Sequence, residues 1–401
     1  MKSIPLFAAL AVVVGCGSTT TADPADAMAT DAAGGDAACA VCLIDTDCNG
    51  SVCAQFGGDT YCAAPCPSGT ECGAGATCTA VTSSGGDPVK VCVPDACSGS
   101  TADAGKPVDA GTGTVDAGPV TSQIGPNGGT ESKLYFGIVG DTRPAFIDDT
   151  KGYPSATITK LYQDLAAQKP APPFVVTTGD YVFAKPFGAQ AAPQFQLYNA
   201  ARAKYPGVVF PALGNHECTG ATTSNCGTGN VDGITTNYAQ FMSAMLSPIA
   251  KAKPYYVINV NAIDASWTAK FVFIAANAWD ATQATWLTQT LSQATTYTFI
   301  MRHEPAEANT APGVNPSEQI MAQHPYTLAI TGHTHTYSHY LKRQIVVGNG
   351  GAPLTTGGNF GFALITQRPD KAIQVDMLDI DTQKADLGFR FAMKPDGTLT
   401  P

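Results

Sequence analysis

Five times in the C-terminal two thirds of the 401-residue chain, a short apolar, β-branched run breaks off into a polar motif, and four of these motifs open with glycine. Residues 134–139 lead into Gly140-Asp141-Thr142-Arg143, 174–178 into Gly179-Asp180-Tyr181, and 208–213 into Gly214-Asn215-His216-Glu217. Residues 297–301 lead into Arg302-His303-Glu304, and 326–331 into Gly332-His333-Thr334-His335. Each run has the length and composition of a buried strand. Further runs at 271–274 and 345–347 read the same way, and 360–366 with 372–380 read as a strand pair. Between them, Ile158, Leu161, Tyr162 and Leu165 recur at helical spacing, and Asp280 is placed to cap a helix burying Trp286, Leu287 and Leu291. The predicted class is α/β: two mixed β-sheets packed as a sandwich and flanked by helices.

Adjacent parallel strands present their ends along one edge, so motifs far apart in sequence converge there. The motifs hold four of the six histidines, together with two Asp and one Asn. Such a mixed oxygen and nitrogen set suits Zn, Mn or Fe, and a carboxylate can bridge two ions about 3.5–4 Å apart. Glycines before most of these residues let the backbone turn sharply and admit substrate closely. No G-x-S-x-G elbow or P-loop is present, and the glycines at 348–351 lack dinucleotide-loop spacing and read as a tight turn. Metal-assisted hydrolysis is the chemistry left standing.

In this order the motifs resemble the calcineurin-like metallophosphoesterase superfamily, whose pattern is GDxH, GDxx, GNHE, a lone His after a strand, and GHxH. The match runs over roughly residues 134 to 350, and four of the five motifs agree in residue type. GHTHTY at 332–337, His303-Glu304-Pro305 and VVGNGGAP at 346–353 look closest to the purple acid phosphatase branch. The resemblance implies that Asp180 bridges two metals, with Asn215, His303 and His333 completing one site. Asp141 and His335 would belong to the other. His216 would be the general acid, protonating the leaving group or holding a phosphoryl oxygen while an activated water attacks phosphorus in line. One or two ions of Zn, Mn or Fe are implied.

Two departures matter. Arg143 stands where most of the superfamily has His, and Phe183 stands where the purple branch has its metal-binding Tyr, leaving Tyr181 as a candidate substitute. A guanidinium cannot ligate a cation but grips phosphate oxygens well. Arg143 is therefore expected to clamp substrate phosphate, a surface salt bridge being the competing reading. His339 is a candidate substrate contact or an exposed strand-end residue, and His324 reads as a loop histidine. Cys218 and Cys226 bracket seven residues just past His216, where a disulfide would pin the loop beside the proposed acid.

The N-terminal third is a different object. Lys2, an apolar run at 4–14 and Gly15 precede Cys16, which resembles a bacterial lipoprotein signal with Cys16 as the lipidated residue. An ordinary signal peptide with an incidental Cys is the alternative. The run is too short to span a bilayer. Gly17 and Ser18 supply no Asp, so the resemblance implies the outer membrane, on its periplasmic or surface face. Residues 17–38 lack large apolar side chains and read as a flexible tether. Ten of the thirteen cysteines then fall within 39–97, alongside just two aromatics, Phe56 and Tyr61. A core that poor needs about five disulfides, and the absence of His there argues against zinc. Residues 98–132, with Asp-Ala-Gly at 103, 109 and 116, read as a linker, and 133–401 as the catalytic domain.

Charge follows the same division. Residues 17–132 carry 14 acids against Lys90 and Lys106, whereas 133–401 carry 18 acids against 19 bases, so the net −10 belongs to the N-terminal part. That balance excludes a basic nucleic-acid binder, and no specific nucleic-acid partner is expected. The leading expectation is an exported, lipid-anchored metallophosphoesterase acting on a small-molecule or polymer phosphoester. The alternative is an exported binding or adhesion protein on a catalytically impaired platform of the same fold.

Overall fold

The computed structural model describes residues 51–56, 59–83, 88–94, 122–340, 343–355, 358–382, 384–386 and 388–400. The expectations for the signal peptide, Cys16, the 17–38 tether, Cys39, Cys42, Cys48 and Cys97 lie outside these residues. The chain divides into two units, Met1–Pro107 and Val108–Pro401.

In the first unit, Val52–Phe56, Asp59–Ala63, Ala76–Ser83 and Pro88–Pro94 form a four-stranded sheet in which every neighbouring pair is antiparallel. Its buried apolar residues are Ala54, Ala63, Val91 and Val93. So small a core removes little apolar surface from water, and the disulfides Cys66–Cys78 and Cys72–Cys92 offset that by restricting the unfolded chain.

The second unit holds two large mixed sheets. In the seven-stranded sheet, Tyr135–Val139, Phe174–Thr177 and Val208–Pro211 run parallel, and Gly361–Gln367 continues from Tyr135–Val139 into an antiparallel half with Ile373–Asp379, Phe391–Met393 and Leu399–Thr400. In the eight-stranded sheet, Thr268–Ile274, Tyr297–Arg302, Leu328–Thr331 and Gln344–Val347 are successive parallel neighbours. The expected sandwich is observed: the Phe136 ring meets Phe271 and Phe299 edge-on, at 4.9 and 5.1 Å, so the inner faces of the two sheets share one aromatic core.

Helices cover the outer faces. Ser155–Ala167 buries Ile158, Leu161, Tyr162 and Leu165, as their spacing predicts, and the Tyr162 and Tyr198 hydroxyls bond at 2.7 Å to the neighbouring Ala191–Arg202. Asp280 caps Ala281–Ser292 by accepting from the Gln283 amide at 2.7 Å. Leu287 and Leu291 of that helix pack with Val272, Ile274 and Ile300 of the sheet, whereas Trp286 is half-buried.

Two differences concern the edge of the larger sheet. Gly128–Glu131 is a strand paired onto Tyr256–Ala262, and Gln123–Gly125 pairs onto it in turn as the outermost strand, although both fall inside the stretch read as linker. These strands are held by backbone pairing with little apolar burial, which a hydropathy reading does not register. Gly128 is required there: at φ 98° a Cβ would stand 1.8 Å from the Asn259 carbonyl oxygen. Tyr256–Ala262, not singled out above, alternates buried and more exposed positions as a half-covered strand does. Among the described residues no helix is long and apolar enough to cross a membrane.

Candidate metal centre

The sequence motifs follow the C-terminal ends of parallel strands in both sheets. Asp141, Asp180 and Asn215 come after Tyr135–Val139, Phe174–Thr177 and Val208–Pro211; His303 and His333 come after Tyr297–Arg302 and Leu328–Thr331. Asp141, Asp180, His333 and His335 all adopt positive φ, between 49 and 73°, a backbone state that non-glycine residues hold only when their surroundings enforce it. Gly179 is equally constrained. Its φ is 108°, and a Cβ would lie 2.7 Å from the Gly214 nitrogen and 2.9 Å from His303 Nδ1.

The geometry converges on Asp180. Its Oδ1 lies 3.2 Å from His303 Nε2 and accepts the His216 backbone amide at 3.1 Å. Asn215 donates from its amide to the Gly220 carbonyl at 2.7 Å, which turns Oδ1 inward to 3.1 Å from His303 Nε2 and 3.2 Å from His333 Nδ1. His303 Nδ1 donates to the Thr178 carbonyl at 2.8 Å, so Nε2 is the ring nitrogen that faces the cluster. Asp141 accepts the His333 backbone amide at 3.0 Å on both oxygens, and His335 Nε2 lies 3.7 Å from Asp141 Oδ1.

These residues fit a metal ion. Potential ligand atoms of Asp141, Asp180 and His303 all lie within 4.8 Å of one another, as do those of His303, Glu304 and His333. Carboxylate, amide oxygen and imidazole lone pairs directed at a common region match the preferences of Zn, Mn and Fe. Cys66, Cys72 and Cys92 also lie close together, but each of them is in a disulfide.

Burial and charge divide the titrations. Burial, opposed chiefly by His303, pushes Asp141 up to about 8. Burial works the same way on Asp180, but His303, His216 and Arg143 outweigh it and hold this carboxyl well below its usual range. Burial lowers His216 to about 4, opposed by Asp180 and assisted by Arg143. His333 is likewise lowered to about 4 by burial and the neighbouring His303.

Arg143 faces this cluster. Its Nε is buried, donates no hydrogen bond and lies 3.7 Å from Asp180 Oδ2, while the guanidinium rests over the Phe183 ring. Phe183 in turn meets the His216 ring edge-on at 4.6 Å. A surface salt bridge is thereby replaced by a buried contact with the central carboxylate. Cys218–Cys226 is a disulfide in the loop that follows His216.

Two candidates are corrected. Tyr181 turns into the core, its hydroxyl bonded to Thr177 Oγ1 at 2.5 Å and to the Ala212 carbonyl at 3.0 Å. It is not among the ligands. His339 lies in the edge strand Tyr337–Tyr340 with its ring stacked on Phe391, which is the strand-end reading rather than a place among the clustered side chains. His324 lies in a loop, as read.

Glu217 escaped the sequence reading. Its carboxylate accepts from the backbone amides of Asp180, Tyr181, Val182 and Gly214 at 2.7–3.3 Å, tying two motif loops together. Its place as the last residue of the GNHE motif was the available signal. Glu304, also in a motif and buried, was likewise given no role.

Residues 134–337 match the family model described as calcineurin-like phosphoesterase. No curated protein matches the chain. Among solved structures, the chain is 13% identical to GAP50, the anchor in the inner membrane complex of Plasmodium, with TM-score 0.47 over 67% of this chain and 90% of that one. It is 17% identical to purple acid phosphatase PPD1 from yellow lupin (Lupinus luteus) seeds, with TM-score 0.48 over 69% of this chain and 55% of that one. It is 10% identical to 5'-nucleotidase from Candida albicans, with TM-score 0.34 over 68% and 52%.

Proposed function

The chain belongs to the calcineurin-like phosphoesterase family, and on that premise we propose that residues 133–401 hydrolyse phosphate mono- or diesters in a metal-dependent reaction. The observation that carries this reading is the meeting of Asp180, Asn215, His303 and His333, from the strand ends of two sheets, within hydrogen-bond distances of one another. These four would hold one ion; Asp141 and His335, beside Asp180, would hold a second. A bound Zn, Mn or Fe supplies Lewis-acid polarisation of a phosphoryl oxygen and a water acidified toward neutral pH.

The chain's own residues then bind and orient the ester. Arg143 keeps an unpartnered Nε in the cluster and grips phosphoryl oxygens by charge-assisted hydrogen bonds. Phe183 supports both the guanidinium and the His216 ring. With its pKa pushed down to about 4, His216 is neutral at pH 7, so it holds a phosphoryl oxygen through a ring N–H rather than delivering a proton. Asn215 and Glu217 keep the loop geometry fixed.

The test uses the purified full chain. At least one equivalent of Zn, Mn or Fe and cleavage of a nitrophenyl phosphate ester are expected, with His216→Ala, which removes a hydrogen-bond donor to the phosphoryl oxygen, lowering kcat by about 10²-fold or more. A chain with neither metal nor turnover would sink the enzyme reading. The N-terminal sequence supports export and lipid anchoring through Cys16; Cys16→Ser should then release the protein from the membrane fraction. Arg143 in place of a ligand histidine favours one second reading, an exported binding protein on an impaired platform. That reading predicts retained metal without turnover.

A further inference from the structure

Glu304 is buried, and neither of its carboxylate oxygens has a hydrogen-bond partner. Among the described residues no other buried carboxylate is left with both oxygens unpaired. An ionised carboxylate in that position carries a large desolvation penalty unless a cation meets it. The neighbouring arginine does not. Arg302 spends Nε on the Glu304 backbone carbonyl, Nη1 on Ser317 Oγ and Nη2 on Glu318 Oε1, at 2.7–2.8 Å, and none of these bonds reaches the Glu304 carboxylate.

What the carboxylate does approach is the imidazole pair. Ligand atoms of Glu304, His303 and His333 lie within 4.8 Å of one another, a separation that one cation can span. The charge balance asks for it. Asp180 is the only acid among Asp180, Asn215, His303 and His333, and the Arg143 guanidinium already draws on it from 3.7 Å. A divalent ion held by these four groups keeps an uncompensated positive charge in a buried place, beside another positive charge.

We propose that Glu304 is a further ligand of the ion held by Asp180, Asn215, His303 and His333, supplying the negative charge that Arg143 withdraws from Asp180. The inference rests on the metal-dependent reading above. It gives the sequence run His303-Glu304 the role of two consecutive ligands, one at the end of a strand and the next at the start of the loop that leaves it.

The probe is Co²⁺, titrated into the metal-stripped full chain and followed by its visible absorption and by competition with a chelator. Glu304→Gln, nearly isosteric and neutral, is expected to weaken Co²⁺ binding by about 10- to 100-fold or more and to shift the Co²⁺ bands. The metal-stripped variant is expected to melt no lower than metal-stripped wild type, since the substitution removes a buried carboxylate with no hydrogen-bond partner. A Glu304 with a purely structural role would instead lower that melting temperature and leave Co²⁺ affinity unchanged, and equal affinities overturn the proposal. Should Glu304→Gln fail to fold, Glu304→Asp keeps the charge on a shorter arm; intermediate affinity supports the assignment and wild-type affinity overturns it. Wild type that takes up no Co²⁺ removes the metal-dependent reading itself, an outcome distinct from equal binding by the two proteins.

Discussion

The Arg143 Nε stands 3.7 Å from Asp180 Oδ2, so a permanent positive charge presses on the carboxylate at the centre of the cluster. A cation on the Asp141 side must share Asp180 with that guanidinium, and like charges in a buried place repel strongly. Arg143→His is therefore expected to raise the metal content above that of wild type, toward two equivalents, by metal analysis of the two proteins side by side. Equal content would show that Arg143 displaces no ion. In Arg143→Ala, inhibition by inorganic phosphate should weaken about 10- to 100-fold, the loss of a charge-assisted contact of about 1.5–3 kcal/mol.

Glu217 joins the loops after two strands through four backbone amides. Glu217→Ala leaves those buried donors unpaired, at a cost of about 3 kcal/mol or more. In a domain of this size that lowers Tm by roughly 6–12 °C. Metal retention should fall in parallel, because Asp180 loses its support. A calorimetric scan showing no change would mean that the four contacts are dispensable.

The Cys218–Cys226 disulfide closes a short loop of sequence separation 8. On the chain-entropy argument it contributes about 2.5 kcal/mol. The double variant Cys218→Ser/Cys226→Ser should melt roughly 5–10 °C lower than wild type. Activity should drop more than stability accounts for, since Thr235 Oγ1 bonds the Cys218 carbonyl and the same turn leads to Asn237, which holds the His216 carbonyl. Unchanged kcat at a temperature where both proteins are folded would contradict this.

Glu131 supplies a pH dependence away from the metal cluster. It is buried, with Oε1 unpartnered and Oε2 accepting the Tyr135 amide, and burial pushes its pKa up to about 8. The Tyr135 and Tyr205 phenols are neutral at these pH values, their own pKa values being raised by burial. The folded state then holds a proton that the unfolded chain releases near pH 4.5. The stability associated with Glu131 is complete below that value and is lost as pH rises through about 8. Denaturant midpoints measured from pH 5 to 9 should decline, and Glu131→Gln should flatten the decline. A variant with the wild-type slope would assign the effect elsewhere.

Tyr181 gives a negative prediction. Its hydroxyl is engaged with Thr177 and Ala212 in the core. Tyr181→Phe should cost about 1 kcal/mol of stability and leave metal content untouched. A loss of metal in that variant would restore Tyr181 as a ligand.

The sequence alone determined the α/β class, the helical face of Ile158, Leu161, Tyr162 and Leu165, the Asp280 cap and the polar motifs that meet in the cluster. All of these rest on short-range spacing, which hydrophobic periodicity and turn chemistry encode locally. Strands built by pairing, such as Gly128–Glu131, were not legible, because their partner Tyr256–Ala262 is more than a hundred residues away and their own side chains bury little. Likewise, no local spacing separates Tyr181, which turns into the core, from Asp180, which turns into the cluster. Nor does the sequence place Arg143 against Asp180 or leave Glu304 without a partner. Those relationships were decided by the tertiary structure, where two sheets bring their strand ends together and burial makes each charge depend on the one it meets.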